Sequence, residues 1–93
     1  MTLAIVLVNF SDDQLAASAE KSVKDIQGVL EANLTTGIYD LILKVQTNDE
    51  HELEDVITKI KAISGVTSTM TNVIYKADSF APSTSANGQQ ERA

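Results

Sequence analysis

Residues 2–10 run Thr-Leu-Ala-Ile-Val-Leu-Val-Asn-Phe, apolar and rich in β-branched side chains at both alternating sets of positions. A strand of that kind needs cover on both sides. It is expected in the middle of a sheet, with helices over one face and a partner surface over the other. The polar stretch Ser11-Asp12-Asp13-Gln14 then marks a helix start, with Ser11 and Gln14 at capping-box spacing. Leu15, Ala19, Ser22/Val23 and Ile26 share one face of that helix, while Asp13, Glu20, Lys21 and Lys24 project elsewhere. Gly28 is placed to end it as a C-cap.

Residues 29–36 read as a second strand and residues 39–47 as a third. Leu41, Leu43 and Val45 share one face of the third strand, and Ile42, Lys44 and Gln46 the other. Only a short connection around Gly37-Ile38 separates the two strands, which predicts an antiparallel hairpin. Thr47-Asn48-Asp49-Glu50 opens a second helix, its acids well placed against the helix dipole. Leu53, Val56, Ile57, Ile60 and Ile63 mark an apolar stripe at 3–4 spacing. Ser64-Gly65 ends the helix, and residues 66–75 form the last strand.

The order is β-α-β-β-α-β, the ferredoxin-like arrangement of the α+β class. It implies a four-stranded antiparallel sheet with two helices on one face. The other face is left bare and apolar, a surface suited to dimerisation. Residues 1–77 are read as one domain. From Asp78 to the end, residues 78–93 carry one aromatic, no periodicity and many small polar side chains. Such a segment buries too little apolar surface to offset its ordering entropy, so a disordered tail is expected.

Composition narrows the picture. A chain of 93 residues is one domain. Chains of this size bury only roughly 60–65% of their unfolded surface, so self-association would add useful burial. With no cysteine, disulfides, thiolate nucleophiles and thiolate metal sites are excluded together, and a cytoplasmic protein is expected. No apolar run approaches the ~20 residues of a membrane span, and the N-terminal run lacks the basic flank of a signal peptide. The net charge is −6, and the seven basic residues are scattered from Lys21 to Arg92. Direct nucleic-acid binding needs clustered Lys and Arg, and is disfavoured.

Candidate chemistry is sparse. The one histidine, His51, is flanked by Glu50 and Glu52 without a ligand cluster, which reads as a solvated side chain. Ser11 and Ser18 lack a visible general base. The carboxylate groups at Asp12-Asp13, Asp49-Glu50 and Glu52/Glu54-Asp55 sit at helix starts, where acids are expected for capping. The four glycines are isolated, so no phosphate loop is present. No catalytic residue, metal ligand or cofactor is assigned, and an enzyme is not expected.

One constellation stands out, Thr36-Gly37-Ile38-Tyr39-Asp40. Gly37 is explained as a turn residue with an unusual backbone angle. Asp40 is harder to explain, because aspartate is depleted in strands and here directly precedes Leu41-Ile42-Leu43. Its carboxylate either caps local amides or receives the ammonium of an amino acid. In the last strand Thr67, Thr69 and Thr71 recur at period 2, which lines one face with hydroxyls suited to a small polar ligand. Threonine is equally a good strand former.

Together, Val29-Leu30-Glu31-Ala32, Thr36-Gly37-Ile38-Tyr39-Asp40 with the following Leu41–Val45, Ser64-Gly65-Val66 and Thr69-Met70-Thr71-Asn72-Val73-Ile74 resemble the effector-binding (RAM) domain of the Lrp/AsnC regulators. The likeness runs over residues 2–76. It implies dimers paired through their sheets, further assembled into an octamer-like ring. It also implies an effector, typically an amino acid, bound between dimers near the Gly-x-Tyr-Asp loop. The implied ligand-binding set is Gly37, Ile38, Tyr39 and Asp40, with Thr69 and Thr71 in support. The first strand begins at residue 2, so the family's helix-turn-helix domain is expected to be missing. A stand-alone module is expected, acting through protein partners such as full-length Lrp/AsnC regulators. Two further readings stand beside it: a purely structural oligomerisation domain without a ligand, and a small dimeric ferredoxin-like enzyme.

Overall fold

The structure, a computed structural model, describes residues 1–75. The expected domain limit at residue 77 and the expected tail over 78–93 lie outside the described residues. The elements are β1 (Thr2–Phe10), α1 (Asp13–Lys24), β2 (Val29–Leu34), β3 (Leu41–Thr47), α2 (Glu50–Lys61) and β4 (Val66–Val73). The sheet order is β2-β3-β1-β4 with every pair antiparallel. This is the ferredoxin-like α+β fold, with β1 and β3 central as their apolar patterns require.

Along β1 the side chains of Ala4, Val6, Val8 and Phe10 are buried, and so are Leu41, Leu43 and Val45 on β3. They meet Ala16, Ala19 and Val23 of α1 and Leu53, Val56 and Ile60 of α2 to form one core. The alternate residues Leu3, Ile5, Leu7 and Ile42 are only half-buried on the opposite face. No described element covers that face, and Met70 of β4 adds to it from opposite Leu7.

Both helices start from an aspartate. Asp12, not Ser11, caps α1, its Oδ1 accepting the Leu15 amide at 2.9 Å. Asp49 caps α2 through the Glu52 amide at 2.8 Å, and Glu52 reaches back to the Asn48 amide at 3.0 Å. An aspartate in extended backbone satisfies an amide of the first turn that lacks a helical partner.

The two helix-to-strand turns share a local sequence, Ile26-Gln27-Gly28-Val29 and Ile63-Ser64-Gly65-Val66. In each, the valine amide donates to the isoleucine carbonyl, at 3.1 and 3.2 Å, and the glycine has positive φ, 104° and 92°. Gly28 is therefore not the expected C-cap. Helix α1 ends at Lys24 with Asp25 in its cap position, and Gly28 instead turns the chain into β2.

Candidate functional site

Strands β2 and β3 pair as expected, but both are shorter at the hairpin. The ladder closes at Leu34–Leu41, so residues 35–40 form a six-residue loop rather than a tight turn. Polar groups within the loop hold its shape. The Thr35 amide donates to the Asp40 carbonyl at 3.0 Å, and the Thr35 hydroxyl donates to the Tyr39 carbonyl. The Asp40 amide donates to the Val8 carbonyl at 3.0 Å, and Asp40 Oδ2 accepts the Phe10 amide at 2.8 Å. Thus the carboxylate takes up a backbone donor of β1 just where β3 turns away. That matches the capping alternative for Asp40, and Oδ1 carries no hydrogen bond from the described residues.

At the loop tip Gly37 does not have positive φ, and a Cβ added to it would meet nothing within 4 Å. The expectation of an unusual backbone angle at Gly37 is therefore corrected: the described chain gives no steric reason for a glycine there. Ile38 is 87% exposed. Tyr39 is half-buried and its hydroxyl donates to Met70 Sδ at 3.5 Å, which brings the ring toward the open sheet face.

The structure does not bring the six candidate residues into one pocket. Thr69 and Thr71 pair with Val8 and Val6, whose side chains are buried under the helices, so both threonines share the helix-facing side. Thr71 lies with Leu53, Ile57 and Val73 in a cleft of about 510 Å³ between α2 and the edge strand β4. Thr67 leaves the threonine row altogether. A register shift at Asn9/Phe10 sets Ser68 opposite Asn9 and Val66 opposite Phe10, with Thr67 between them. Ser68 lies on the same side as Met70, opposite to Thr69 and Thr71.

A second cleft, about 450 Å³, lies toward the opposite end of the sheet, between the start of β2 and α2. Gly28, Leu30, Gln46, Asp55 and Lys59 are among its lining residues. No sequence signal pointed there. Its charged side chains are exposed at the surface, the usual condition of a solvated helix face. His51 is likewise exposed in the first turn of α2. Among the described residues no group of three or more His, Cys, Asp or Glu side chains is placed to hold a metal, and no helix is long and apolar enough to cross a membrane.

The described residues form a half-open ferredoxin-like sandwich with a loop pinned through Asp40 at one end of its sheet, and that fold by itself names no function. Comparison with known proteins supplies the class. The family model described as the Lrp/AsnC ligand binding domain matches residues 3–80, and the chain belongs to that family. Among solved structures, TTHA0845 of Thermus thermophilus is 31% identical with a TM-score of 0.77, over 83% of this chain and 96% of that one. AsnC of E. coli is 26% identical with a TM-score of 0.76, over 83% of this chain and 52% of AsnC. The homocitrate synthase of Sulfolobus acidocaldarius is 34% identical over 74 residues, 80% of this chain. The chain spans only 16% of that enzyme's length.

Proposed function

We propose that this domain senses an amino acid or a similar small zwitterion at the 35–40 loop and passes the signal to protein partners. The observation that carries the reading is the Lrp/AsnC ligand-binding match over residues 3–80, which includes the whole loop. Among the described residues, Gly37 has open space where a Cβ would lie and Ile38 is exposed, which suits a contact with a ligand or a second copy. Asp40 Oδ1 and the half-buried Tyr39 supply polar groups beside them. A solved regulator from Neisseria meningitidis, NMB0573, is titled as a complex with L-Met and shares this fold at 19% identity and a TM-score of 0.73. That relative supports the choice of ligand class.

Tyr39 reaches Met70 on the open face, while Thr69 and Thr71 lie on the helix-facing side, so a pocket using Tyr39 with either threonine draws one of them from a second copy. Pairing through the open face of Leu3, Ile5 and Leu7 gives the dimer, and dimers meeting at their loops give the ring. Cytoplasmic partners fit this reading, either full-length Lrp/AsnC regulators or enzymes. The homocitrate synthases favour the enzyme option, since each carries a segment similar to this chain. The module itself performs no catalysis under this proposal.

Thermal denaturation against the twenty amino acids tests it. A ligand at about 100 times its Kd adds about 2.7 kcal/mol, a shift on the order of 10 °C for a domain this small. A melting point that no amino acid moves at millimolar concentration sinks the sensing reading and leaves a purely structural oligomerisation domain. Light scattering separates the assembly claim: a strict monomer at micromolar concentration refutes the dimer.

A further inference from the structure

Asp40 makes contacts on both sides of the loop that a ligand-binding role alone does not require. Its amide holds the Val8 carbonyl at 3.0 Å and its carboxylate holds the Phe10 amide at 2.8 Å, so the residue brackets Asn9 of β1 from both sides. Its own carbonyl turns away to the Thr35 amide, and Thr35 also binds Tyr39 through its hydroxyl. The carboxylate thus replaces a main-chain acceptor that the departing strand withdraws. A part-buried amide stripped of its acceptor opens to water, so this one oxygen has a structural task before any effector arrives.

We infer that Asp40 is a positioning residue: with Thr35 it locks the loop that carries Gly37 and Ile38 onto the end of β1, and offers an effector ammonium only Oδ1. The second half of this statement rests on the sensing reading; the first does not. Phe10 is followed by Ser11, whose amide donates to the Gly65 carbonyl at 2.8 Å, and Asn9/Phe10 is where the β1–β4 register shifts. An effector that draws on Asp40 therefore pulls on the point where β1, the start of α1 and the α2–β4 turn meet.

Backbone amide exchange of the full 93-residue chain, measured without ligand, decides the structural half. Asp40→Ala should speed exchange at Phe10 about tenfold or more while Val6 and Leu43 stay within about twofold, because a local opening does not touch the core ladder. Unchanged exchange at Phe10 overturns the proposal. Asp40→Asn keeps a carbonyl oxygen for the amide, so Phe10 should stay within about threefold of the parent while any amino-acid-induced melting shift is lost.

Thr35→Val serves if the alanine variant fails to fold. Exchange should rise several-fold at Thr35 and stay near the parent value at Phe10, since the Asp40 carboxylate is untouched. Equal acceleration at both amides would mean general loosening, and would refute a separate role for Asp40. If the parent chain shows no effector shift at all, the sensing reading fails while the ligand-free exchange comparison still stands or falls by itself.

Discussion

Two glycine-bearing connections, the α2–β4 turn at Gly65 and the β2–β3 loop at Gly37, obey different constraints. Gly65 has φ of 92°, and a Cβ built on it would lie 2.6 Å from Leu15 Cδ1 and 3.0 Å from Leu15 Cβ. Backbone and packing both demand glycine there. Gly37 lacks positive φ and has open space where its Cβ would be. One glycine is explained by the packing of the described residues, while the other finds no steric reason among them. That contrast separates scaffold from site more sharply than residue type does.

The hardest test of the contrast is Gly65→Ala. Forcing an L-residue to a left-handed angle costs about 1–2 kcal/mol, and overpacking a well-filled contact adds about 1–3. A loss of roughly 2–4 kcal/mol should lower the melting point by more than about 10 °C for a domain of this size. Gly28→Ala is the graded control. Its φ of 104° is equally strained, but the nearest atoms, Gln46 O at 3.3 Å and Thr47 and Val56 methyls at 3.4 Å, are less crowded. About 1–2 kcal/mol is expected, from the backbone alone. If Gly28→Ala proves as damaging as Gly65→Ala, packing on Leu15 is not what distinguishes the two turns.

Smaller effects belong to the helix starts, which are scaffold of the same kind. Asp12→Ala and Asp49→Ala each remove a side-chain acceptor from a first-turn amide, at about 1 kcal/mol apiece by urea denaturation. Neither should change an effector-induced melting shift. The bond that Glu52 accepts from the Asn48 amide survives at α2 and has no counterpart at α1 among the described residues. Asp49→Ala should accordingly be the milder of the pair.

Periodicity made the scaffold legible. The doubly apolar 2–10 run identified a central strand, and the stripe from Leu53 to Ile63 identified α2, because burial imposes period 2 or 3.6 on the residues themselves. Polar termini carried less information. Ser11 and Asp12 are both acceptable caps, and only the backbone angles at Asp12 decide between them. The sequence shortens the loop to Gly37-Ile38 because Thr35, Thr36 and Tyr39 suit strands, while Thr35 bonds within the loop instead, to the carbonyls of Tyr39 and Asp40. The threonine row failed for a related reason: a register shift at Asn9/Phe10 depends on pairing with β1, which a strand's own residues do not encode.

Gly37→Ala reverses the sign of the Gly65 result. Alanine is accommodated in open space at a φ that L-residues adopt, and it narrows the unfolded ensemble, so stability should rise by about 0.4–1 kcal/mol or stay level. The melting point without ligand should move up by a few degrees at most. The amino-acid-induced shift should instead fall by more than half, since a methyl group at the loop tip blocks close approach of a ligand or a second copy. Both readings come from one titration of melting point against ligand. Destabilisation of the free chain would mean that the fold itself needs this glycine. A full effector response beside unchanged stability would leave Gly37 without a reason in either scaffold or site. Only a chain that keeps its stability while losing its response shows that the loop is shaped for a contact the lone subunit does not make.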